Sequence, residues 1–513
     1  MILFLIVATA SVVAVEGADS SRPILVPTRS ETPTGLLGSF VSISYELRHF
    51  PAYAVGSRSE PNGYSINLLK NIAERQIHMP VARVGGNSQD EAIYDDTLTV
   101  PLAPSCTADS LAGLCLGKTF FDSYGTFPNT KYSHGFNLAW NNASGYRTLE
   151  QTVALACHAI NASIFDAWEY GNEPNLYRTQ VRPKSWTTQD YILEWFNGTV
   201  RLASFLQQLC PNSVSESGLI APSLSNPWSE IHPADVAASY KQDSGSRVTR
   251  FSMHAYMGGA TSPTITLANT LLNHSAIVNA LRPHVSIAQK IHAIPGMSET
   301  PYIIGECNSL WGGGRRGVCD VFGSALWVLD FTLHAASTGQ ISRLHFHQGP
   351  GAPYTAWNPS GHNAATFPSY YGKVAAAQFI GDSTKRSVSA VKLPEGSESE
   401  SAYASYDTDT QGLATLAIIN MNEYNSTAAA LRPTKTYTLN IIPQSCWTSE
   451  RLTAPGSDSL NGITFGGLSF EYLTLGRPHR QMPSDPKTCA DDQGNLTLRL
   501  QDSEAIILSR QAA

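Results

Sequence analysis

From about residue 40 to residue 348, short apolar runs alternate with stretches whose apolar residues recur every three or four positions. Eight of the runs have strand length: Phe40 to Tyr45, Val81 to Val84, Gly135 to Trp140, Ile164 to Trp168, Leu219 to Pro222, Phe251 to Tyr256, Tyr302 to Ile304 and Ile341 to Phe346. Between the first two, Ser65 to Ile77 places Ile66, Leu69, Ile72 and Ala73 on one face, with Ser65 as the expected N-cap. Strand, helix and strand repeated eight times predict an α/β fold, a closed parallel (β/α)8 TIM barrel.

After Tyr371 to Ile380, expected as the last helix, the pattern changes. A polar, acidic loop from Glu395 to Ser401 is followed by Ala402 to Tyr406, Leu413 to Asn420, Thr436 to Ile441, Ile463 to Phe465, Leu496 to Leu500 and Ala505 to Leu508. Short alternating segments divided by Gly-, Pro- and Ser-rich turns predict a C-terminal all-β sandwich. The Ile24-Leu25-Val26 segment is expected to add a strand to it. The expected organisation is a signal peptide over 1–17, a barrel over 18–380 and a sandwich over 381–513. The sandwich is expected to be structural support, with carbohydrate binding as the alternative.

The first residues, MILFLIVATASVVAVEG, form an apolar run ending in small residues, as a secretory signal does. About fifteen apolar residues fall short of the ~20 that a membrane span needs. Charged residues make up only 15% of the 513, and the net charge of −7 gives no footing for nucleic acid or an anionic membrane. An anionic small substrate would have to be read by local groups. Eight cysteines and six Asn-x-Ser/Thr sequons (Asn142, Asn161, Asn197, Asn273, Asn425, Asn495) fit an oxidising, glycosylating route and a secreted, extracellular protein. Spacing suggests Cys106 with Cys115 and Cys307 with Cys319 as local pairs. Cys446 with Cys489 would staple the sandwich, leaving Cys157 with Cys210. No C-x-x-C pair marks a zinc site.

Two glutamates stand where strands are expected to end. Glu173 lies in Trp168-Glu169-Tyr170-Gly171-Asn172-Glu173-Pro174-Asn175, and Glu306 lies in Tyr302-Ile303-Ile304-Gly305-Glu306-Cys307-Asn308-Ser309. The loops at the C-terminal ends of barrel strands converge on one pocket. Two carboxylates facing each other there supply the proton donor and the nucleophile or base of glycoside hydrolysis. Asn172 is placed to meet a sugar 2-hydroxyl. His254 and Tyr256 share one strand face and are expected to hydrogen-bond the attacking carboxylate, keeping it ionised and oriented. In Trp311-Gly312-Gly313-Gly314 the backbone can take φ > 0 and present consecutive amides to an anion. His345 and His347 are the one metal-like pair, but a barrel metal site needs further His and Asp ligands at other strand ends, so no metal is expected. Gln348 or one of these histidines is expected to line the sugar site.

WEYGNEPN around Glu173, GECNSLWGGG around Glu306, RVGGNS over Arg83 to Ser88 and the barrel-plus-sandwich layout resemble glycoside hydrolase family 79, the β-glucuronidases and heparanase-like enzymes. The resemblance implies Glu173 as acid/base and Glu306 as nucleophile. It also implies Gly312 and Gly313 as backbone donors to a uronate carboxylate, joined by the Tyr354 hydroxyl, and Asn87 as a polar contact near the sugar. Trp311 stands where the family usually has Tyr, so an indole N–H replaces a phenol. For the sugar hydroxyls near the end of the first strand, Glu46 is the candidate. The implied activity is a retaining β-glucuronidase acting on terminal glucuronic acid without a cofactor, with 4-O-methylation of that sugar left open. A heparanase-like endo-β-glucuronidase is the alternative, and a non-catalytic carbohydrate-binding barrel is a further one. No basic run flanks the motifs to favour a polyanionic chain, and binding alone would not call for both glutamates.

Overall fold

The computed structural model describes residues 22–510 apart from 31–34, 57–59, 105, 107–112, 211–217, 243–247 and 395–396. The expected signal segment therefore lies outside the described residues. Among the described residues, no helix is long and apolar enough to cross a membrane.

Eight parallel strands close a barrel in chain order: Val41–Glu46, Ala82–Gly85, Tyr132–Phe136, Phe165–Tyr170, Leu219–Leu224, Val248–Tyr256, Tyr302–Asn308 and Arg343–Gln348. The third is displaced toward the N-terminus from the expected Gly135 to Trp140. Asn137 leaves the strand because its side-chain amide bonds the Asp90 and Ala92 carbonyls, while Asp90 Oδ1 takes the Leu138 and Ala139 amides. The apolar Leu138-Ala139-Trp140 therefore belongs to a loop. The long helix between the first two strands is Gly63–Gln76, and its N-cap is Asn62, not Ser65. Asn62 Oδ1 accepts the Ser65 amide, while Ser65 Oγ is occupied by the Trp357 indole. An Asn cap three residues before a buried hydroxyl frees Ser65 for packing.

The last barrel helix, Pro368–Ile380, and the preceding Gly323–Ser337 are buried almost all round. Such helices belong between two layers, and here the second layer is the large antiparallel sheet of the sandwich. The strands Glu400–Asp407, Leu413–Asn420 and Glu504–Arg510 pair in that sheet. One of its faces sends Tyr403, Ala417, Ile419, Ala505 and Ile507 into the barrel's core cluster. The other sends Ala402, Ala404, Leu416, Ile418, Ile506 and Leu508 against a smaller sheet. Two buried faces explain the continuous apolar runs Leu413 to Asn420 and Ala505 to Leu508. The smaller sheet contains Thr434–Asn440, Asn495–Gln501 and, as expected, Ile24–Leu25. Two large-sheet strands, Arg386–Ala390 and Cys446–Thr453, are absent from the apolar pattern because they are rich in polar residues.

Disulfides join Cys106–Cys115, Cys157–Cys210 and Cys446–Cys489. The expected Cys307–Cys319 bond is not formed; both thiols are free and buried. Alternation along the seventh strand is the reason. Glu306 points into the barrel, so Cys307 points outward, its sulfur toward the His345 carbonyl and near Lys373 of the last helix. Cys319 instead receives the Arg315 amide in the loop beyond the glycines.

Candidate active site

The fourth strand ends at Tyr170, and the chain then turns through Gly171 at φ 90° and Asn172 to Glu173, itself at φ 48°. The left-handed region is uncommon for a residue with a side chain and is held only where the surroundings fix it. Two neighbours do so. The Glu173 amide donates to the Ser223 carbonyl of the fifth strand at 2.9 Å. The Asn172 amide donates to Asp90 Oδ2 at 2.7 Å. Asp90 also receives the Tyr177 hydroxyl at 2.5 Å besides the Leu138 and Ala139 amides. Burial outweighs these four donors and pushes its carboxyl up to about 6. Asp90 thus clamps the loops after the third and fourth strands together, a role that sequence reading missed.

Glu306 lies within the seventh strand, one residue beyond Gly305, whose missing side chain leaves room for Ser252. Tyr256 donates its hydroxyl to Glu306 Oε1 at 2.7 Å, and Arg83 Nη1 donates to Oε2 at 2.8 Å. His347 Nδ1 stands 3.5 Å from the same oxygen. Burial alone would push the Glu306 carboxyl up. The charges of His347, His254 and Arg83, with the Tyr256 hydroxyl, override it and hold the group well below the usual carboxylate range. Glu306 is therefore ionised.

His254, expected beside Tyr256 on the nucleophile, instead bonds Glu173, with Nδ1 2.8 Å from Oε1. The two residues share a strand face as expected but serve different carboxylates. One oxygen of each glutamate and a nitrogen of His254 all lie within 4.8 Å of one another. Those atoms are close enough to share a cation, but Glu306 already bonds Arg83 and Tyr256, and Glu173 already bonds His254.

Arg83 is the other residue missed. Fully buried in the second strand, it donates to Glu169 at 2.9 Å, to Ser44 at 3.0 Å and to Asn172 Oδ1 at 2.7 Å besides Glu306. The signal was present in Val81-Ala82-Arg83-Val84: an arginine inside an apolar strand must find buried anions. Asn172 in turn donates to Asn87 Oδ1 at 3.1 Å, so two expected sugar contacts are joined and fixed by the arginine. Glu46 accepts the Ser88 amide and hydroxyl, and His347 Nε2 lies 3.3 Å away. His347 therefore faces the site. His345 does not: it sits deeper, buried with neither ring nitrogen bonded, and desolvation keeps it neutral. Gln348 holds the following loop through Thr355 and Ala356.

Gly312, Gly313 and Gly314 have φ of 81°, 87° and 84°, a succession that other residues would strain to adopt. Tyr354 lies against this loop, its amide toward the Gly313 carbonyl at 3.5 Å, and its ring is 6.2 Å from that of His347. Trp311 is half exposed, its indole so close to Gly259 that a Cβ there would collide. Arg315 is spent on the carbonyls of Ala260, Ser262 and Ile265, and Arg316 pairs with Asp320 at the surface. A cleft of about 450 Å³ opens from Asn172 and Glu173 past Asn87 and Trp140.

The sequence model of the Glycosyl hydrolase family 79 C-terminal beta domain matches residues 402–507, within the sandwich. A β-glucuronidase of Aspergillus niger is 38% identical over 523 residues, covering 96% of this chain and 94% of its own. The chain belongs to glycoside hydrolase family 79. A β-glucuronidase of Neurospora crassa is 36% identical, covering 89% and 88% of the two chains. Among solved structures, a 4-O-α-L-rhamnosyl-β-D-glucuronidase from Fusarium oxysporum 12S shares the fold of this chain, with a TM-score of 0.76 at 23% identity over 95% of this chain and all of its own. A GH51 arabinofuranosidase from Xanthomonas axonopodis pv. citri superimposes with a TM-score of 0.60 at 14% identity, covering 95% and 99%. The barrel-plus-β-domain frame is thus shared with glycosidases outside family 79.

Proposed function

We propose that the protein is a secreted β-glucuronidase that hydrolyses terminal β-linked glucuronic acid with retention. The observation that carries this reading is the carboxylate pair, with oxygens of Glu173 and Glu306 within 4.8 Å. Retaining enzymes hold the pair about 5–5.5 Å apart, and inverting ones need roughly 6.5–9.5 Å to admit water. The Arg83 and Tyr256 contacts on Glu306 support it as the attacking carboxylate. Glu306, kept ionised, attacks the anomeric carbon as the bond to the leaving oxygen breaks and Glu173 delivers its proton there. Glu173 then takes a proton from water, whose oxygen attacks the same carbon and releases Glu306. Asn172, held by Arg83 and Asp90, meets the 2-hydroxyl, and Asn87 stands beside it.

The uronate carboxylate is read by the Gly312 and Gly313 amides and the Tyr354 hydroxyl. Two charge-assisted contacts of about 1.5–3 kcal/mol each favour a glucuronide over the matching glucoside by ~10²–10⁴. The β-glucuronidases of Aspergillus niger and Neurospora crassa support this substrate class. Three disulfides support an oxidising route. So do sequons whose asparagines all reach the surface, Asn142, Asn161, Asn197 and Asn425 fully and Asn273 and Asn495 in part. Turnover of aryl β-glucuronide, β-glucoside and β-galactoside, with the anomer of the first product followed by NMR, tests the reading. Equal rates on glucuronide and glucoside reject the substrate, and an α-configured first product rejects retention.

A further inference from the structure

The loop that follows the sixth strand runs beside the glycine loop that follows the seventh, and main-chain bonds join them. The Met257 amide donates to the Ser309 carbonyl at 2.9 Å, the Trp311 amide to the Gly258 carbonyl at 2.9 Å and the Ala260 amide to the Trp311 carbonyl at 3.0 Å. The parallel pairing that reaches Tyr256 and Asn308 in the strands is thus carried on to Gly259 and Trp311. There it stops, and Gly312, Gly313 and Gly314 follow at positive φ. Among the described residues their amides donate to no acceptor in the protein.

Glycine loses more conformational freedom on ordering than any other residue. Three in succession hold one shape only if both ends of the segment are fixed. The first end is fixed by the main-chain bonds of Trp311. The second is fixed by Arg315, whose guanidinium crosses back to the loop after the sixth strand. Nη1 donates to the Ser262 carbonyl at 2.8 Å and reaches the Ala260 carbonyl at 3.4 Å, and Nη2 donates to the Ile265 carbonyl. The Arg315 amide donates to Cys319 Sγ at 3.2 Å. One planar fork therefore spans three carbonyls of a loop continuous with Tyr256, the residue bonded to Glu306. An ammonium is a compact point charge and cannot make that set of contacts.

We propose that Arg315 is a positioning residue for the acidic group of the substrate: without touching the sugar, it holds the Gly312 and Gly313 amides in a fixed place relative to Glu306. The proposal rests on the glucuronidase reading and adds what makes its amide cradle rigid. Donors fixed before binding need no ordering when the carboxylate arrives. The effect of Arg315 therefore falls on substrates that carry the carboxylate.

The test is kcat and KM on dinitrophenyl β-glucuronide and dinitrophenyl β-glucoside, whose leaving group is reactive enough for the slower sugar to be followed. In Arg315→Met the glucuronide should lose at least about tenfold in kcat/KM, mainly through KM, because the lost contact acts on bound substrate and transition state alike. The glucoside should lose less than about threefold, so the ratio between the two sugars narrows. Arg315→Lys keeps the charge without the fork and should stay within about threefold of the Met variant. Arg316→Ala removes a surface charge one position away and should leave both sugars within about twofold. Equal losses on the two sugars in Arg315→Met, or no loss on the glucuronide, overturn the proposal. Full recovery in Arg315→Lys overturns it too, because the charge and not the fork would then be the cause. Equal rates of the unaltered protein on the two sugars reject the glucuronidase reading itself, and the positioning role with it.

Discussion

Between its sheets the sandwich buries Trp447, Tyr437, Leu439, Leu498, Ile418 and Ile506. At comparable depth the barrel buries Arg83, Glu169 and Glu306 near its mouth and Asp166, Arg343 and His345 lower down. Both interiors exclude water, but only one is built of charge. Replacing buried ion networks by packed hydrocarbon is often neutral or stabilising, so stability alone does not account for the barrel's choice. Arg83 shows what the charges achieve. A single guanidinium contacts Glu306, Glu169 and Asn172, locking Glu306, the strand that leads to Glu173, and the residue preceding Glu173 into one geometry.

Removing the reacting charge should have the largest effect. Glu306→Gln keeps the shape and the Tyr256 contact but deletes the proposed nucleophile, so kcat should fall by at least ~10⁴ with little change in melting temperature. A variant within tenfold of the unaltered protein would show that Glu306 does not attack. Arg83→Met breaks both properties at once. It leaves Glu169 and Glu306 buried without their cation, which should cost about 3–5 kcal/mol. The Glu306 carboxyl then ionises at higher pH, so the acidic limb of kcat/KM should move upward. A limb that stays in place would mean that the arginine is purely architectural. Arg83→Lys should be only partly restorative, because one ammonium cannot replace a fork that reaches four partners.

The apolar interior should respond the other way. Trp447→Ala removes a fully buried indole between the sheets and should cost about 3–5 kcal/mol. In the folded fraction, kcat/KM should be unchanged. Loss of activity without loss of stability, read from activity and denaturant titrations on the same sample, would mean that the sandwich shapes the site.

The same contrast governs what the sequence discloses. Apolar periodicity located the strands whose side chains meet hydrocarbon, and in order around the barrel they overlap the observed eight. It misplaced the third, because Ser133 and His134 interrupt the apolar run inside the strand while Leu138 and Ala139 lie outside it, tied to Asp90. Glu173 and Glu306 were legible from their positions at strand ends. Asp90 was not, since its meaning depends on a partner 82 positions away at Asn172, and for Arg83 the apolar strand signalled burial but not the partner 89 positions away. His254 was seen, but assigned to the wrong glutamate: a strand face gives direction and not distance. The Cys307–Cys319 pairing failed because short spacing took no account of which side of the strand Cys307 faces.

The smallest expected effect lies where the two regions meet. Asp330, in the barrel helix Gly323–Ser337, accepts Ser401 and Tyr403 of the sandwich through Oδ1 at 2.6 Å each, and its Oδ2 lies 2.8 Å from His274 Nδ1. Burial opposes the charges, but the hydrogen bond and charge of Asp330 outweigh it and raise the His274 pKa above its ordinary value. Asp330 is lowered for the reciprocal reason. A raised histidine stabilises fully below about pH 6.5, and this is lost as pH climbs through its folded value. A lowered aspartate stabilises above about pH 4, and this is lost as pH falls through its folded value. The pair therefore contributes most between roughly pH 4 and 6.5, by an amount on the order of 1 kcal/mol given the partial exposure of His274. Asp90, pushed up to about 6 by burial, also loses stabilisation as pH rises through that value. A falling melting temperature in the unaltered protein thus has sources besides the pair. Comparison with His274→Gln separates them, because Asp90 and the other titrating groups are common to both proteins. The melting-temperature gap should be larger at pH 5.5 than at pH 8.5. A gap that widens at pH 8.5 would mean that the interface gains nothing from a protonated His274.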